Sequence, residues 1–595
     1  MKNFKEYLKS VRFSLGHAFK FVPKETSLIF FVVIISACIP YASSYLLGKL
    51  VNDIFIGAKT GVYEGIWYII FLYAFISSLP TFLGNIQTYI RRRWNLKFQT
   101  DIELYFMKVR EQIDIAHYED PKFQDLLQRS FRNGINPLFG LTSGQFNALQ
   151  SLTGLLFGTI LAIHFNLFVY LCVILSAIPS FLVDIKYASW GWSIWQKDSP
   201  ALRRLSDLRQ HVTFRTLLIE TKLLQSGNKI LDWMRQILVD FANIQLKTEK
   251  SKLFSTSLTD VIAFVGFGAG LFLVMQEVIS GRVPVGGLVY MLGTLSNVRA
   301  SISSLLTNIS EQFDVHLIVK DMMEVVDTKP TILESKKPIT LDLETAPEIV
   351  FEKIGFKYHN SDKWSLRNIN LTFRSGDNIG LVGNNGAGKT TLVKLLCRIY
   401  DPTEGRILIN GIDLKDISIK EWWSYLAVMF QDYASYDFVT KDAIAIGRPN
   451  SSINLTKVVE AAHVSQSHVF IEEWKDKYEQ QIGVEFAGVE PSKGQRQKLS
   501  IAKILYRDGR VMILDEPTAS VDAESEAKIF DSIENLSKNT TALLISHDFS
   551  TISECDKIFV LDKGKLIEEG NHKELMNRKG MYAELYTLQA KRFKK

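Results

Sequence analysis

Apolar residues in the first half of the chain gather into long runs, and a hydrocarbon core about 30 Å thick takes roughly 20 residues of helix to cross. Six runs reach that length: Leu28 to Ile54, Gly65 to Tyr89, Phe146 to Phe165, Phe168 to Tyr187, Leu258 to Ile279 and Val285 to Leu306. Only Asn166 and Leu167 separate the third from the fourth, which predicts a tight hairpin. The connections between the second and third runs, and between the fourth and fifth, are far longer than a bundle loop needs. Within them, Asp101 to Ile115 and Ser206 to Leu224 repeat apolar residues at three- and four-residue spacing with charges between. They read as membrane helices projecting into the cytoplasm.

Lysine and arginine in short loops resist translocation, so their distribution orients the bundle. Arg91, Arg92, Arg93 and Lys97 follow the second run, and Arg203, Arg204, Arg209 and Arg215 lie between the fourth and fifth. The opposite loops, near Lys59 and Arg282, are sparse in cations. Both termini are therefore expected in the cytoplasm. Lys2, Lys5, Lys9 and Arg12 precede an apolar run too long for a signal-peptide core and without a small-residue cleavage pattern, so residues 1–25 are expected to be a retained elbow helix. Polar groups inside a span are costly unless they face a cavity. Gln87, Gln145, Gln150, Asp260, Asn297 and Arg299 are thus candidates for a solute pathway or, where they fall near span ends, interfacial residues. Trp190, Trp192 and Trp195 predict an interfacial belt after the fourth run. Pro40, Pro80 and Pro179 predict kinks.

The pattern changes after Thr328 to Pro347, a stretch with three prolines, mixed charge and no periodicity that reads as a linker. Short β-rich runs at Glu348 to Phe356, Asn378 to Val382 and Val511 to Leu514 then alternate with helical stretches. The expected fold class is multidomain: an α-helical polytopic membrane domain over residues 26–327, with long cytoplasmic extensions, and an α/β domain over residues 348–595. A chain of 595 residues also exceeds what one core usually supports. The net charge of +6 comes from basic residues flanking apolar runs, as beside anionic headgroups, without the basic stripe that nucleic acid requires. Cys38, Cys172, Cys397 and Cys555 are too scattered for a disulfide framework or a zinc site.

The chemistry lies at strand ends in the second half. Gly383-Asn384-Asn385-Gly386-Ala387-Gly388-Lys389-Thr390-Thr391 follows an apolar strand and precedes a helical run, the context that GxxxxGK[ST] needs to be a phosphate-binding loop. Its glycines let backbone N–H groups curl around phosphates at a positive helix end, Lys389 offers a point charge to the β and γ phosphates, and Thr390 offers a hydroxyl to Mg²⁺. Val511 to Leu514 is an apolar strand ending in Asp515 and Glu516. Asp515 is expected to hold Mg²⁺. Alternation at the strand end turns Glu516 the other way, to orient and deprotonate an attacking water.

With these in place, Asp515-Glu516-Pro517-Thr518-Ala519, then Asp522, then Ile545-Ser546-His547, resembles the catalytic run of ATP-binding-cassette (ABC) proteins. Six membrane runs, two long cytoplasmic loops and a C-terminal P-loop ATPase domain resemble bacterial half-transporters of the exporter type. Glu119-Asp120-Pro121-Lys122-Phe123-Gln124-Asp125 is similar to the first coupling-helix segment of that family, with the second near Phe214 to Leu223. The resemblance implies that Tyr358 stacks on adenine, that Gln431 touches Mg²⁺ and reports to the coupling helices, and that His547 contacts the γ-phosphate. It also implies that Asp522 belongs to a loop crossing to a partner.

The family signature, usually Leu-Ser-Gly-Gly-Gln, stands here as Pro491-Ser492-Lys493-Gly494-Gln495. Ser492, Gly494 and Gln495 keep the hydroxyl, the close backbone approach and the amide at a helix N-terminus where the partner's γ-phosphate would dock. Pro491 is compatible with a first helical turn. Lys493 replaces a residue without a side chain and either crowds the composite site or adds a cation to it. Glu485 to Glu490 looks closer to peptide-exporter cassettes than to the multidrug pattern.

In this family ATP is sandwiched between two chains, so the resemblance implies a second transporter subunit, either an identical chain or, given Pro491 and Lys493, a different one. The implied function is ATP-driven export of an amphipathic or hydrophobic solute, whether peptide, drug or lipid, across a bacterial inner membrane with the ATPase domain cytoplasmic. An importer of the same six-helix layout and an ATP-gated membrane protein that does not pump are the alternatives. The roughly 25 residues before the first run are too few for a peptidase domain, so leader-cleaving export is not expected.

Overall fold

The computed structural model describes the chain except at residues 1, 64, 132, 133, 166, 167, 169, 172, 173, 177, 181, 184, 185, 188–198, 360, 519, 537, 538, 547, 594 and 595. The described chain divides into two compact units, one of Met1–Ile113 and Pro121–Lys329, the other of Asp114–Asp120 and Pro330–Lys595.

The helices of the first half are α1 (Lys2–Phe21), α2 (Pro23–Thr60), α3 (Ile66–Glu111), α4 (Ile115–Tyr118), α5 (Pro121–Phe131), α6 (Asn136–Phe165), α7 (Ser199–Thr213), α8 (Arg215–Leu223), α9 (Gly227–Ile279) and α10 (Val285–Val326). All but α4 belong to the first unit. Among the described residues four helices are long and apolar enough to cross a membrane: α2, α3, α6 as far as Ile163, and α9. The fourth expected run, Phe168 to Tyr187, falls partly outside the described residues, as do Cys172, Trp190, Trp192 and Trp195. The sixth forms the first half of α10, where Thr294, Asn297, Arg299 and Ser301 dilute the apolar character. At about 1.5 Å per residue, the 46 residues of α3 and 53 of α9 run to about 69 and 80 Å, more than twice the hydrocarbon thickness.

Periodicity explains how these helices pack. Residues Tyr7, Ser10, Ser14 and Ala18 recur on one face of α1 and are buried. Tyr7 donates to Gln312 of α10 at 3.0 Å, and the Ser14 and Thr142 hydroxyls pair across to α6. Trp94, Phe98, Ile102 and Phe106, four apart on α3, are likewise buried, with Phe139 and Phe146 set edge-on to the Trp94 ring. Some of the cations that orient the bundle also have partners: Glu25 accepts from Arg93 at 3.1 Å and Lys97 at 2.6 Å. The pathway candidates separate. Gln145 donates to Tyr7 and Gln312, Asp260 is exposed, Arg299 lies over the Phe267 ring, and Gln150 and Asn297 line a cavity. Around α8, Phe214, Ile219, Leu223 and Leu224 are exposed.

The second unit holds two sheets. β1 (Ile349–Phe356), β2 (Leu366–Phe373), β4 (Glu404–Ile409) and β5 (Ile412–Asp413) form an antiparallel sheet in the order β2-β1-β4-β5. β3 (Asn378–Gly383), β6 (Leu426–Met429), β7 (Val511–Asp515), β8 (Thr541–Ile545), β9 (Lys557–Asp562) and β10 (Lys565–Gly570) form the other, ordered β10-β9-β3-β8-β7-β6. All its pairings are parallel except β9 with β10. Strands β7 and β8 are buried throughout, which is why β7 reads as a continuous apolar run. Part of the stretch read as a linker is packed: Leu341 and Leu343 are buried, and Leu341 N–H donates to Glu421 at 2.7 Å. Its prolines hide periodicity, but two leucines suffice to dock it.

Candidate nucleotide site

The parallel register brings four strand ends to one edge. Leu381 pairs with Ile545, Ile545 with Asp515, and Leu514 with Met429, so β3, β8, β7 and β6 finish side by side. Ligands of α/β sheets bind outside the carboxyl ends of strands. From β3, Gly383 leads through Asn384, Asn385, Gly386, Ala387 and Gly388 into α11 (Lys389–Leu396). Gly388 has φ of 104°, a value that side chains disfavour. Lys389 folds over the loop, its Nζ donating to the carbonyls of Gly383 at 2.7 Å and Asn384 at 3.3 Å. Burial lowers the Lys389 pKa from its ordinary value, while Asp515 and Glu516 act in the opposite sense.

Asp515 ends β7, and its carboxylate accepts from the Thr390 hydroxyl at 3.4 Å. Glu516 follows with φ of 52°, a left-handed position that costs a non-glycine residue about 1–3 kcal/mol. A turn, rather than strand alternation, therefore separates the two carboxylates. The turn is held at three points. Glu516 N–H donates to Ile545 O at 2.8 Å, its carbonyl accepts from Gln497 Nε2 at 3.2 Å, and its carboxylate accepts from Gln431 Nε2 at 2.9 Å. Gln497 also accepts from Ser520 N–H at 2.9 Å, so one amide ties Glu516 to the loop after it. Sequence reasoning assigned Gln497 no role, since a linear motif does not reveal which loops an amide spans.

Thr390, Asp515 and Gln431 offer a hydroxyl, a carboxylate and an amide oxygen, a set suited to a hard cation that shares its coordination with phosphate and water. Among the described residues no cluster of three or more His, Cys, Asp or Glu forms a separate metal cage. His547, expected at the γ-phosphate, lies outside the described residues.

Tyr358 donates to or accepts from Thr391 Oγ1 at 3.1 Å, and its ring meets Phe356 and Tyr400 edge-on. Lys394, on α11, sits 5.6 Å from the centre of the same ring. The other partner of Lys394 is Glu119, at 2.7 Å, whose second oxygen accepts from Tyr400. Burial raises the Glu119 pKa, but donation from Lys394 and Tyr400 holds it below the ordinary carboxylate range. Burial and Glu119 push Tyr400 the other way. Asp114 accepts from the Thr331 hydroxyl at 2.8 Å and Ile332 N–H at 3.1 Å. These bonds fold Asp114–Asp120 with the second unit, although α3 and α5 flank it in the chain. Lys394 and Tyr400 carry no motif and were missed for that reason.

Ser492 caps the helix Lys493–Arg507 in a reciprocal box: Gln495 N–H donates to Ser492 Oγ at 3.2 Å, and Ser492 N–H donates to Gln495 Oε1 at 2.8 Å. Pro491 precedes the cap and so stands outside the helix. A Cβ on Gly494 would lie 2.6 Å from Ser520 O, so only glycine fits there. Asp522 accepts from Ser525 N–H at 2.8 Å and Lys498 at 3.3 Å, which hold its pKa well below the ordinary range. Lys493 is exposed in the first turn of its helix. Replacing it by glycine, the residue of the usual motif, is expected to raise the ATP hydrolysis rate about threefold, under 1 kcal/mol in barrier. Phosphate release by the two proteins measures this, and equal rates would make Lys493 a neutral substitution.

Residues 366–519 match the family described as ABC transporter. The subtilin transport ATP-binding protein SpaT of Bacillus subtilis is 24% identical over 93% of this chain and 89% of its own length. An ATP-dependent lipid A-core flippase of Syntrophus aciditrophicus (strain SB) is 33% identical, over 59% of this chain and 57% of its own length. The solved structure of a bacterial Atm1-family ABC exporter with ATP bound superposes with a TM-score of 0.78, covering 94% of this chain and 97% of that one at 21% identity. The phosphate loop and the paired carboxylates thus lie within the segment that matches the ABC transporter family, and the chain as a whole shares the fold of a bacterial ABC exporter and is similar along most of its length to a bacterial transport ATP-binding protein.

Proposed function

We propose that two copies of this chain form a homodimer that exports an amphipathic solute, most specifically a peptide, out of the cytoplasm through a six-helix bundle contributed by each copy. Each ATP is held by Gly383–Thr391 and Tyr358 of one copy and by Ser492, Gly494 and Gln495 of the other. Glu516 orients and deprotonates the attacking water, Gln431 holds the Glu516 carboxylate in place, His547 contacts the γ-phosphate, and Asp522 shapes the crossing loop. Thr390, Asp515 and Gln431 are the residues that would hold Mg²⁺, whose charge when bound offsets that of the β and γ phosphates. The peptide reading leans on the likeness to SpaT and on the Glu485 to Glu490 run; the dimer reading leans on the exposed apolar residues around α8, which a partner would cover.

The observation that carries the coupling is the Asp114–Asp120 segment. It folds with the ATPase unit through Glu119 and Asp114, yet the chain continues directly from it into α3 and α5. A movement of α11 and Tyr400 on nucleotide binding would thus be passed along the chain to α3, one of the membrane-length helices, and to α5. Glu119→Ala removes two charge-assisted bonds and is expected to lower solute moved per ATP hydrolysed about three- to tenfold, with ATP affinity changing less. Parallel transport and ATPase assays in proteoliposomes would show this, and an unchanged ratio would exclude Glu119 from coupling.

Direction is tested with inside-out membrane vesicles and a fluorescently labelled, uncharged amphipathic peptide. ATP-dependent accumulation in the vesicle lumen is expected. ATP-dependent loss of preloaded peptide instead would make the chain an importer.

A further inference from the structure

The first unit has a partly open cavity of about 350 Å³ lined by α2, α6 and α10. Its volume falls within the range of small-ligand sites, roughly 300–1,000 Å³. Its lining is unusual for the interior of a membrane bundle: Ser36, Asn147, Gln150, Asn297, Ser304 and Asn308 all face it, and no lining residue among those described is charged.

The hydrogen bonds already made define what remains. Asn147 Oδ1 accepts from Arg91 at 2.8 Å, which leaves its N–H₂ donors. Asn297 donates to Ser44 at 3.2 Å, and Asn308 donates to Ser304 O at 2.6 Å, so each keeps its carbonyl oxygen as an acceptor. Among the described residues no hydrogen bond engages the Gln150 amide, and the buried Ser36 hydroxyl has no partner. Unsatisfied polar groups in a bilayer are costly, and the ligand that removes the cost must offer donors and acceptors together. An apolar drug would leave these amides unpaired. A phosphorylated headgroup would require guanidinium or ammonium groups, which the lining lacks. Peptide main chain presents one N–H and one C=O per residue at the spacing of side-chain amides.

We infer that this cavity binds the main-chain amides of the exported peptide, through Gln150 and Asn297 above all; the inference rests on the peptide-export reading and names its recognition chemistry. Of the six polar candidates in the apolar runs, Gln150 and Asn297 line the site, whereas Arg299 does not.

The full chain in lipid nanodiscs tests it, with the ATPase response to an N-acetylated, C-amidated octapeptide of Gly, Ser and Leu normalised to each protein's own basal rate. The unmodified chain should respond, and its half-maximal concentration should rise about tenfold in Gln150→Leu and in Asn297→Leu, but not in Arg299→Gln. Backbone N-methylation of the peptide should weaken it against the unmodified chain and make little difference against Gln150→Leu. Gln150→Ala serves if the leucine variant does not elute as a single species. Wild-type sensitivity in the variants, or indifference to N-methylation, would overturn the cavity assignment while leaving peptide export standing. No response of the unmodified chain to the peptide, with a response to phosphatidylglycerol or to an uncharged disaccharide, would overturn both.

Discussion

Glu516→Gln is expected to lower steady-state ATP hydrolysis by about 10²- to 10⁴-fold, the usual worth of a positioned general base. The amide preserves the shape of the side chain but cannot take a proton from water. Binding should survive, because the bonds that fix the Glu516 backbone, its N–H donated to Ile545 O and its carbonyl accepting from Gln497, do not involve the carboxylate. The Gln431 contact should change, since Gln431 Nε2 now donates to a carboxylate oxygen and would meet a neutral amide. The check is a pair of measurements, phosphate release and equilibrium binding of ATP. Loss of both together would mean that Glu516 supports the fold of the loop more than the chemistry.

For Lys389→Ala the expected loss is in binding itself. A hydrogen bond to a charged group contributes about 1.5–3 kcal/mol net, so ATP affinity should fall roughly ten- to hundredfold, and ATP-driven transport with it. In the structure Lys389 lies over the loop it serves, bonded to Gly383 and Asn384 carbonyls. Removing the side chain leaves them without that donor, so a modest drop in melting temperature should accompany the loss of affinity. Isothermal titration against ATP reads the effect directly, and wild-type affinity would refute the assignment of the phosphate loop.

Features confined to consecutive residues were the legible ones. The phosphate loop could be read because its backbone geometry needs its glycines, lysine and threonine next to one another, and Asp515 and Glu516 because they end an apolar strand. The α/β class followed from short β-rich runs such as Val511 to Leu514 alternating with helical stretches. Harder to see was anything that depends on residues meeting across the fold. Glu119 and Tyr400 lie 281 positions apart, and although Glu119 opens the quoted coupling segment, Tyr400 carries no motif, so their bond was invisible. Gln497 lies beside the quoted signature, but its two loop partners emerge only when Gly494 lets the helix approach Ser520. The cavity was half visible. Gln150 and Asn297 stand out as polar residues in apolar runs, whereas Ser36, Ser304 and Asn308 blend with ordinary helical serines and asparagines until three helices bring them together. The first half of α10 read as an apolar run of sufficient length, yet it is not among the four helices apolar enough to cross by composition among the described residues, and its Asn297, Ser301 and Ser304 line the cavity.

The central claim is that hydrolysis at Glu516 drives solute across the membrane. Its most direct test compares the unmodified chain with Glu516→Gln in proteoliposomes whose ATPase domains face outward, following entry of a labelled uncharged peptide with ATP supplied outside. Sustained, ATP-dependent entry by the unmodified chain and at most a single turnover per dimer by the variant is the result predicted. Continuous entry through the variant at the unmodified rate would contradict it, and would make ATP a switch instead of the energy source.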